Sequence, residues 1–299
     1  MQSDFQGDKR GRIMRVVFGT VVYEAAYKFH KEFIETINNQ DTMEFDVLLL
    51  NDNLELDKFD AIIKGIDRNV LTLESTQNST IPETRIELMK WAKQHEYDLL
   101  ILGDFDDTMS KNRISETILD FDAEYCFYYN ELYYLNTGKK FFTTLPPSVE
   151  SILPILECNF LGLSNTALNL NMVDMDILDI LYNKQTVAFD WIIYSILLLR
   201  GYKGKRVDGC KTYYRIYDQN TAGETDMSIE GLKKEIEIKR DHYSKLFDID
   251  SVYDDLQMVY NKLNDSFEEY AHVLLINARI NNRYWWGKLD RNMILKEME

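Results

Sequence analysis

The chain of 299 residues is 45% hydrophobic and 28% charged, which suits a folded protein with a sizeable core and excludes a disordered or collagen-like one. Its formal net charge of −16 argues against nucleic acid or an anionic membrane as the main partner, since neither is drawn to an acidic surface. The three cysteines, Cys126, Cys158 and Cys210, show no zinc spacing and no disulfide framework, so the expected setting is a reducing cytoplasm.

Residues 1–12 are polar and read as a loose start; no signal peptide and no transmembrane segment are expected. Residues 13–20 predict a strand, and residues 23–38 a helix with Ala26, Phe29, Phe33 and Ile37 on one face. Residues 45–50 predict a second buried strand ending in Asn51-Asp52-Asn53, and residues 70–74 a short third one. Pro82 opens a helix running to Gln94, which feeds a strand at residues 99–102. This alternation predicts an α/β fold with a mostly parallel, Rossmann-like central sheet and flanking helices, wound right-handedly. Its polar strand ends, Thr20, Asp52 and residues 104–107, then converge on one edge, where open α/β sheets bind ligands.

Beyond Ser110, residues 125–129 and 132–135, with Asn136-Thr137-Gly138 behind them, predict a β-ribbon with a turn. Residues 160–163 predict a further strand, and residues 187–200 an apolar helix closed by Gly201. From Ser228 onward the pattern is nearly all helical. Leu256, Val259, Tyr260, Leu263, Phe267, Tyr270 and Leu274 fall on one stripe that suits a core or a homo-oligomer contact.

The run Leu99-Leu100-Ile101-Leu102 ends in Gly103-Asp104-Phe105-Asp106-Asp107. Carboxylates crowded at a strand tip repel one another unless a cation or phosphate chemistry needs them there, and hard oxygen ligands suit Mg²⁺ or Mn²⁺. A solvated acidic turn, with Asp107 capping the next helix, is the alternative. Asp190 starts an apolar helix, where a carboxylate either caps the N-terminus or serves as a base. The tyrosines at 125–134 either stack on sugar rings or simply pack. His30, His95, His242 and His272 show no metal spacing.

With these pieces in order, the chain resembles the inverting glycosyltransferases of the GT-A fold, specifically the family-2-like nucleotide-diphosphosugar transferases. The resemblance rests on Thr20-Val21-Val22-Tyr23, Leu50-Asn51-Asp52-Asn53, Pro82-Glu83-Thr84-Arg85 and Gly103-Asp104-Phe105-Asp106-Asp107. It continues through Phe189-Asp190-Trp191, Gly201-Tyr202 and the segment from Tyr214-Arg215-Ile216-Tyr217 to Gly223. It implies a glycosyltransferase domain over residues 13–223, with a nucleotide-sugar half at 13–110 and an acceptor half at 111–223, followed by a helical extension at 224–299. It further implies that Thr20, Val22, Tyr23, Asp52, Arg85 and Asp104 border a nucleotide sugar, a UDP-sugar being favoured. Asp106 would hold Mn²⁺ or Mg²⁺, and Asp190 would be the general base toward a saccharide or glycan acceptor. The chain departs from the family's pattern at Asn51-Asp52-Asn53-Leu54, at Phe189 and at Tyr217, where Asp-Asp-Gly-Ser, Glu and His are common. Two other readings stay open: a haloacid-dehalogenase-type phosphatase using Asp104 and Asp106, and an inactive nucleotide-sugar-binding partner protein.

Overall fold

Val16, Val17, Phe18, Val21 and Val22 make β1 (Val16–Tyr23) an almost continuously buried run, and in the computed structural model, which describes residues 14–217, 227–281 and 284–298, this strand lies inside a nine-stranded sheet. On one side it pairs with β2 (Asp46–Asp52), which pairs with β3 (Val70–Glu74); on the other it pairs with β4 (Leu99–Leu102), all in parallel. The connecting helices are α1 (His30–Asn38), α2 (Leu56–Gly65) and α3 (Ile81–Gln94). Parallel strands joined through helices bring strand C-termini and helix N-termini to the same edge. That edge carries the candidate site.

Past β4 the sheet becomes mixed. The remaining strands are β5 (Thr108–Met109), β6 (Phe127–Tyr134), β7 (Ser148–Val149), β8 (Thr166–Asn169) and β9 (Gly204–Tyr214), with α4 (Arg113–Leu119), α5 (Met175–Tyr182) and α6 (Phe189–Leu199) among them. β8 runs antiparallel to β4 and β6, while β6 and β9 run parallel. β5 and β7 are short antiparallel additions to β9. Four helices follow: α7 (Ile229–Ser244), α8 (Val252–Asp265), α9 (Phe267–Asn281) and α10 (Arg291–Met298). No helix among the described residues is long and apolar enough to cross a membrane.

Strand alternation splits the core between the two sheet faces. Val17, Val21, Leu48, Leu50, Leu100 and Leu102 face one cluster, while Val16, Phe18, Val47, Leu49, Leu99 and Ile101 face the other. The first cluster continues without a break through α6 into Leu232, Ile236, Tyr243, Leu256 and Tyr260, so the C-terminal helices share a core with the sheet.

Several local expectations change. Residues 24–29 form a 3₁₀ segment, so α1 starts only at His30, and α2 occupies a stretch for which no element is predicted from sequence. The tyrosine-rich stretch is one strand with an irregularity between Tyr129 and Glu131, because its two halves extend the same pairing with β9 instead of pairing with each other; the expected turn follows it, with Gly138 at φ +64°. Residues 160–163 form no strand. The Asn159 side chain bonds both Leu161 backbone groups and Asn165 Oδ1 accepts from the Gly162 N–H, which holds this segment as a loop until β8 begins at Thr166. The apolar stripe is divided between α8 and α9 at Ser266.

Candidate functional site

Gly103 sets the path of the chain as it leaves β4. A Cβ there would lie 2.4 Å from Phe18 Cζ, in the buried core, so only glycine lets the backbone pass this close. Gly103→Ala is expected to destabilise the fold by about 1–3 kcal/mol through overpacking, read as a lowered thermal midpoint. Next in the chain, Phe105 is buried and packs on Phe33 with ring centroids 4.6 Å apart, which anchors the loop between Asp104 and Asp106.

Arg85 reaches this loop from α3. Thr80 and Glu83 form a capping box and Pro82 sits in the first turn, so the helix start, and with it the position of Arg85, is well determined. Arg85 Nη2 donates to Asp104 Oδ1 at 2.8 Å. Asp106 is buried, and burial first and the Asp104 charge second hold its carboxyl above the usual range. The Tyr217 hydroxyl bonds to the Asp106 carboxylate and lies 3.3 Å from the Tyr23 hydroxyl. Burial, more than its neighbours, lifts the Tyr217 phenol to about 12.

Asp107 does not cap a helix; α4 has Asn112 at its N-cap, and β5 intervenes. The Asp107 carboxylate is buried and accepts from the Ser164 hydroxyl and, at 2.8 Å, from the Arg215 N–H. Burial, then Asp106 and Asp104, push its carboxyl well above its ordinary value. Arg215 ties the end of β9 to the acidic loop: Nε donates to the Asp106 carbonyl at 2.7 Å, and Nη2 to Glu32 at 2.6 Å. Beneath lies Arg113, fully surrounded, donating to the Leu102 carbonyl at 2.6 Å while its Nε has no partner among the described residues. A cavity of about 10 Å³ between Arg113, Asp104, Asp107, Ser164 and Thr212 has room for roughly one water.

Asp190 enters from α6. The N-cap of this helix is Ala188, and Asp190 Oδ1 accepts instead from the Trp191 N–H at 2.8 Å. Every other residue from Phe189 to Leu198 is buried, so Asp190 is a half-buried carboxylate on an otherwise mostly apolar, buried helix. Burial first, and the nearby Asp104 charge among the lesser causes, lift its carboxyl to about 7. Asp104 is thus felt by groups from five other segments: Tyr23 of β1, Arg85 of α3, Arg113 of α4, Asp190 of α6 and Tyr217 beyond β9.

The remaining expected residues are placed less centrally. Thr20 is fully buried with its hydroxyl lacking a partner among the described residues, an orphaned polar atom of a kind that native proteins rarely leave. The Val22 side chain lies in the core. Asp52 is level with Tyr23 in the β1–β2 register and accepts from Asn53 at 3.0 Å and Ser75 at 3.1 Å. The residues from Asp218 to Gly223 lie outside the described residues. Sequence reasoning missed Arg113 and Ser164, whose local patterns carry no signal; Arg215 and Tyr217 were visible in their motif, but not what they touch.

No family model and no curated protein matches this chain. Solved structures do. Staphylococcus aureus TarS 1–349 in complex with UDP-GlcNAc superposes at TM-score 0.60 and 16% identity, covering 85% of this chain and 73% of that one. TarS 1–349 in complex with UDP gives 0.56 and 15% identity over 91% and 83% of the two chains. The mannosyltransferase PcManGT from Pyrobaculum calidifontis, in complex with GDP-Man and Mn²⁺, gives 0.55 and 12% identity over 94% and 78%. At such identities the likeness is one of fold, and the fold of this chain is that of these glycosyltransferase structures.

Proposed function

We propose that this chain is a glycosyltransferase that moves a hexosyl group from a nucleotide-diphosphate sugar, a UDP-sugar being favoured, to a saccharide or glycan acceptor with inversion. The observation that carries the reading is the convergence on Asp104 of Arg85, Asp106 and Asp190, a guanidinium and two carboxylates from separate segments at one sheet edge. The neighbours in fold that hold UDP-GlcNAc, and GDP-Man with Mn²⁺, support it.

Asp106, with Asp104 beside it, offers hard oxygen donors whose mutual repulsion a divalent Mn²⁺ or Mg²⁺ would relieve. When bound, such an ion neutralises charge that develops on the leaving diphosphate. In this reading Thr20, Tyr23 and Asp52 border the nucleoside, Val22 contributes only backbone, and Arg85 holds both Asp104 and the nucleotide. Asp190 takes the proton of an acceptor hydroxyl as that oxygen bonds to the anomeric carbon, while the bond from that carbon to the diphosphate breaks and the nucleotide leaves. One displacement inverts the configuration. Residues 111–223 would form the acceptor side, and the free cysteines fit a cytoplasmic setting.

Calorimetry with UDP, GDP and TDP, each with Mn²⁺ and with a chelator, tests the donor half. Metal-dependent binding of at least one is expected, strongest for UDP; no metal-dependent binding of any would remove the reading.

A further inference from the structure

The C-terminal helices carry buried polar groups whose contacts lead toward Asp190. The aromatic ring of His242, on α7, stacks on Trp191 with centroids 3.8 Å apart and planes 14° from parallel. Trp191 is the residue whose backbone N–H the Asp190 carboxylate accepts, and its indole Nε1 donates to the Ile155 carbonyl at 2.7 Å. The ring is therefore held from two sides. His242 Nε2 also lies 3.5 Å from Ser195 Oγ, one turn further along α6.

A second set of contacts holds the segment that leads into α6. Lys184 Nζ donates to the Lys245 carbonyl at 2.8 Å, and the Thr186 hydroxyl donates to Asp241 Oδ2 at 2.7 Å. The Ala188 N–H in turn donates to Thr186 Oγ1 at 3.3 Å, and Ala188 is the N-cap from which the helix starts. That N-cap makes no side-chain capping bond of its own, so the first turn of α6 takes its position from these tertiary contacts. The C-terminal end of α7, with Asp241 and His242 on the helix and the Lys245 carbonyl just beyond it, thus grips both the approach to Asp190 and the residue after it.

We propose that α7 positions the Asp190 carboxylate, with His242 acting through Trp191 and Asp241 acting through Thr186. The inference rests on the reading of Asp190 as the base. His242 and Asp241 are positioning residues; neither is placed at the reacting atoms. A catalytic group misplaced by about 1 Å loses on the order of 10²-fold in rate, so loosening this grip lowers turnover without touching the donor site.

The test uses the full chain, measuring nucleoside diphosphate release from UDP-, GDP- and TDP-hexoses, with UDP and Mn²⁺ affinity measured separately. Thr186→Val and His242→Ala are expected to lower kcat roughly 10–100-fold while donor KM and UDP affinity change by less than about twofold. His242→Phe, which restores a flat ring against Trp191, should recover most of the loss. Folded Thr186→Val with wild-type kcat, while Asp190→Asn is impaired, overturns the inference and leaves the base assignment standing; so does a loss of donor affinity in proportion to kcat. If His242→Ala does not fold, Thr186→Val decides. A wild type without turnover on any of these donors, or normal turnover by Asp190→Asn, removes the underlying reading and this inference with it.

Discussion

Replacing Asp190 by Asn is expected to lower turnover about 10²–10⁴-fold, the range that general-base catalysis contributes, while donor and metal affinity stay nearly intact. Asn keeps the shape and can still accept from the Trp191 N–H, so the helix start should survive and only the proton acceptor is lost. A mere cap would tolerate the change, since Asn caps about as well as Asp, and the N-cap of α6 is in any case Ala188. Near-normal transfer, or a product with retained anomeric configuration, would overturn the assignment.

The same residue sets a pH dependence. Its carboxyl is lifted to about 7, so kcat should fall as pH drops through neutrality, whereas an ordinary carboxylate would stay ionised to about pH 4. Stability moves the other way. A carboxyl whose folded-state pKa is raised contributes stability that is fully present below its unfolded value and is lost as pH rises toward 7. At pH 8 the wild type therefore carries a buried charge that Asp190→Asn lacks. The inactive variant should melt higher there, by a few degrees, with at most roughly 4 kcal/mol available from a shift of this size. A variant that melts lower at pH 8 would show that the carboxylate is better solvated than its surroundings indicate.

Asp106→Asn is expected to abolish metal-dependent nucleotide binding. Loss of an outer-shell partner already costs about 10–100-fold in metal affinity, so loss of the ligand proposed here should cost at least the upper figure. Without metal the variant should be as stable as the wild type or more so. The substitution removes the charge that repels Asp104 and Asp107, while an amide oxygen still accepts from Tyr217. Calorimetry with UDP and Mn²⁺, paired with thermal melts at pH 8, measures both effects. Unchanged metal-dependent affinity would remove Asp106 from the site. Intact mass after incubation with a phosphate donor separates the phosphatase alternative, in which Asp104 would gain a phosphoryl group that Asp104→Asn could not.

The parallel half of the sheet was legible because it follows local rules. Leu99–Leu102 is an unbroken apolar run bounded by Asp98 and Gly103, and it is β4 to the residue; Val70–Glu74 is β3. Pro82 marks the start of α3 in the sequence, so Arg85 could be placed on its first turns before any contact was known, while the Thr80–Glu83 capping box emerged with the structure. Where a side chain from elsewhere substitutes for backbone pairing, the local pattern misleads. Residues 160–163 are apolar enough for a strand but are looped by Asn159 and Asn165.

The candidate site divides along the same line. Periodicity and strand ends determined from sequence alone that Asp104 and Asp106 stand at the tip of a buried strand, and that Asp190 opens an apolar helix. These are properties of the few residues on either side. The tertiary structure alone decided that Tyr217 covers Asp106 and meets Tyr23, 194 positions away, that Arg215 and Ser164 take up Asp107, and that His242 backs Trp191. Each of these contacts joins segments whose own sequences are satisfied without it. Only the packing of α6, β9 and α7 against the sheet sets which polar atoms face one another, and a residue's neighbours in sequence carry no record of that.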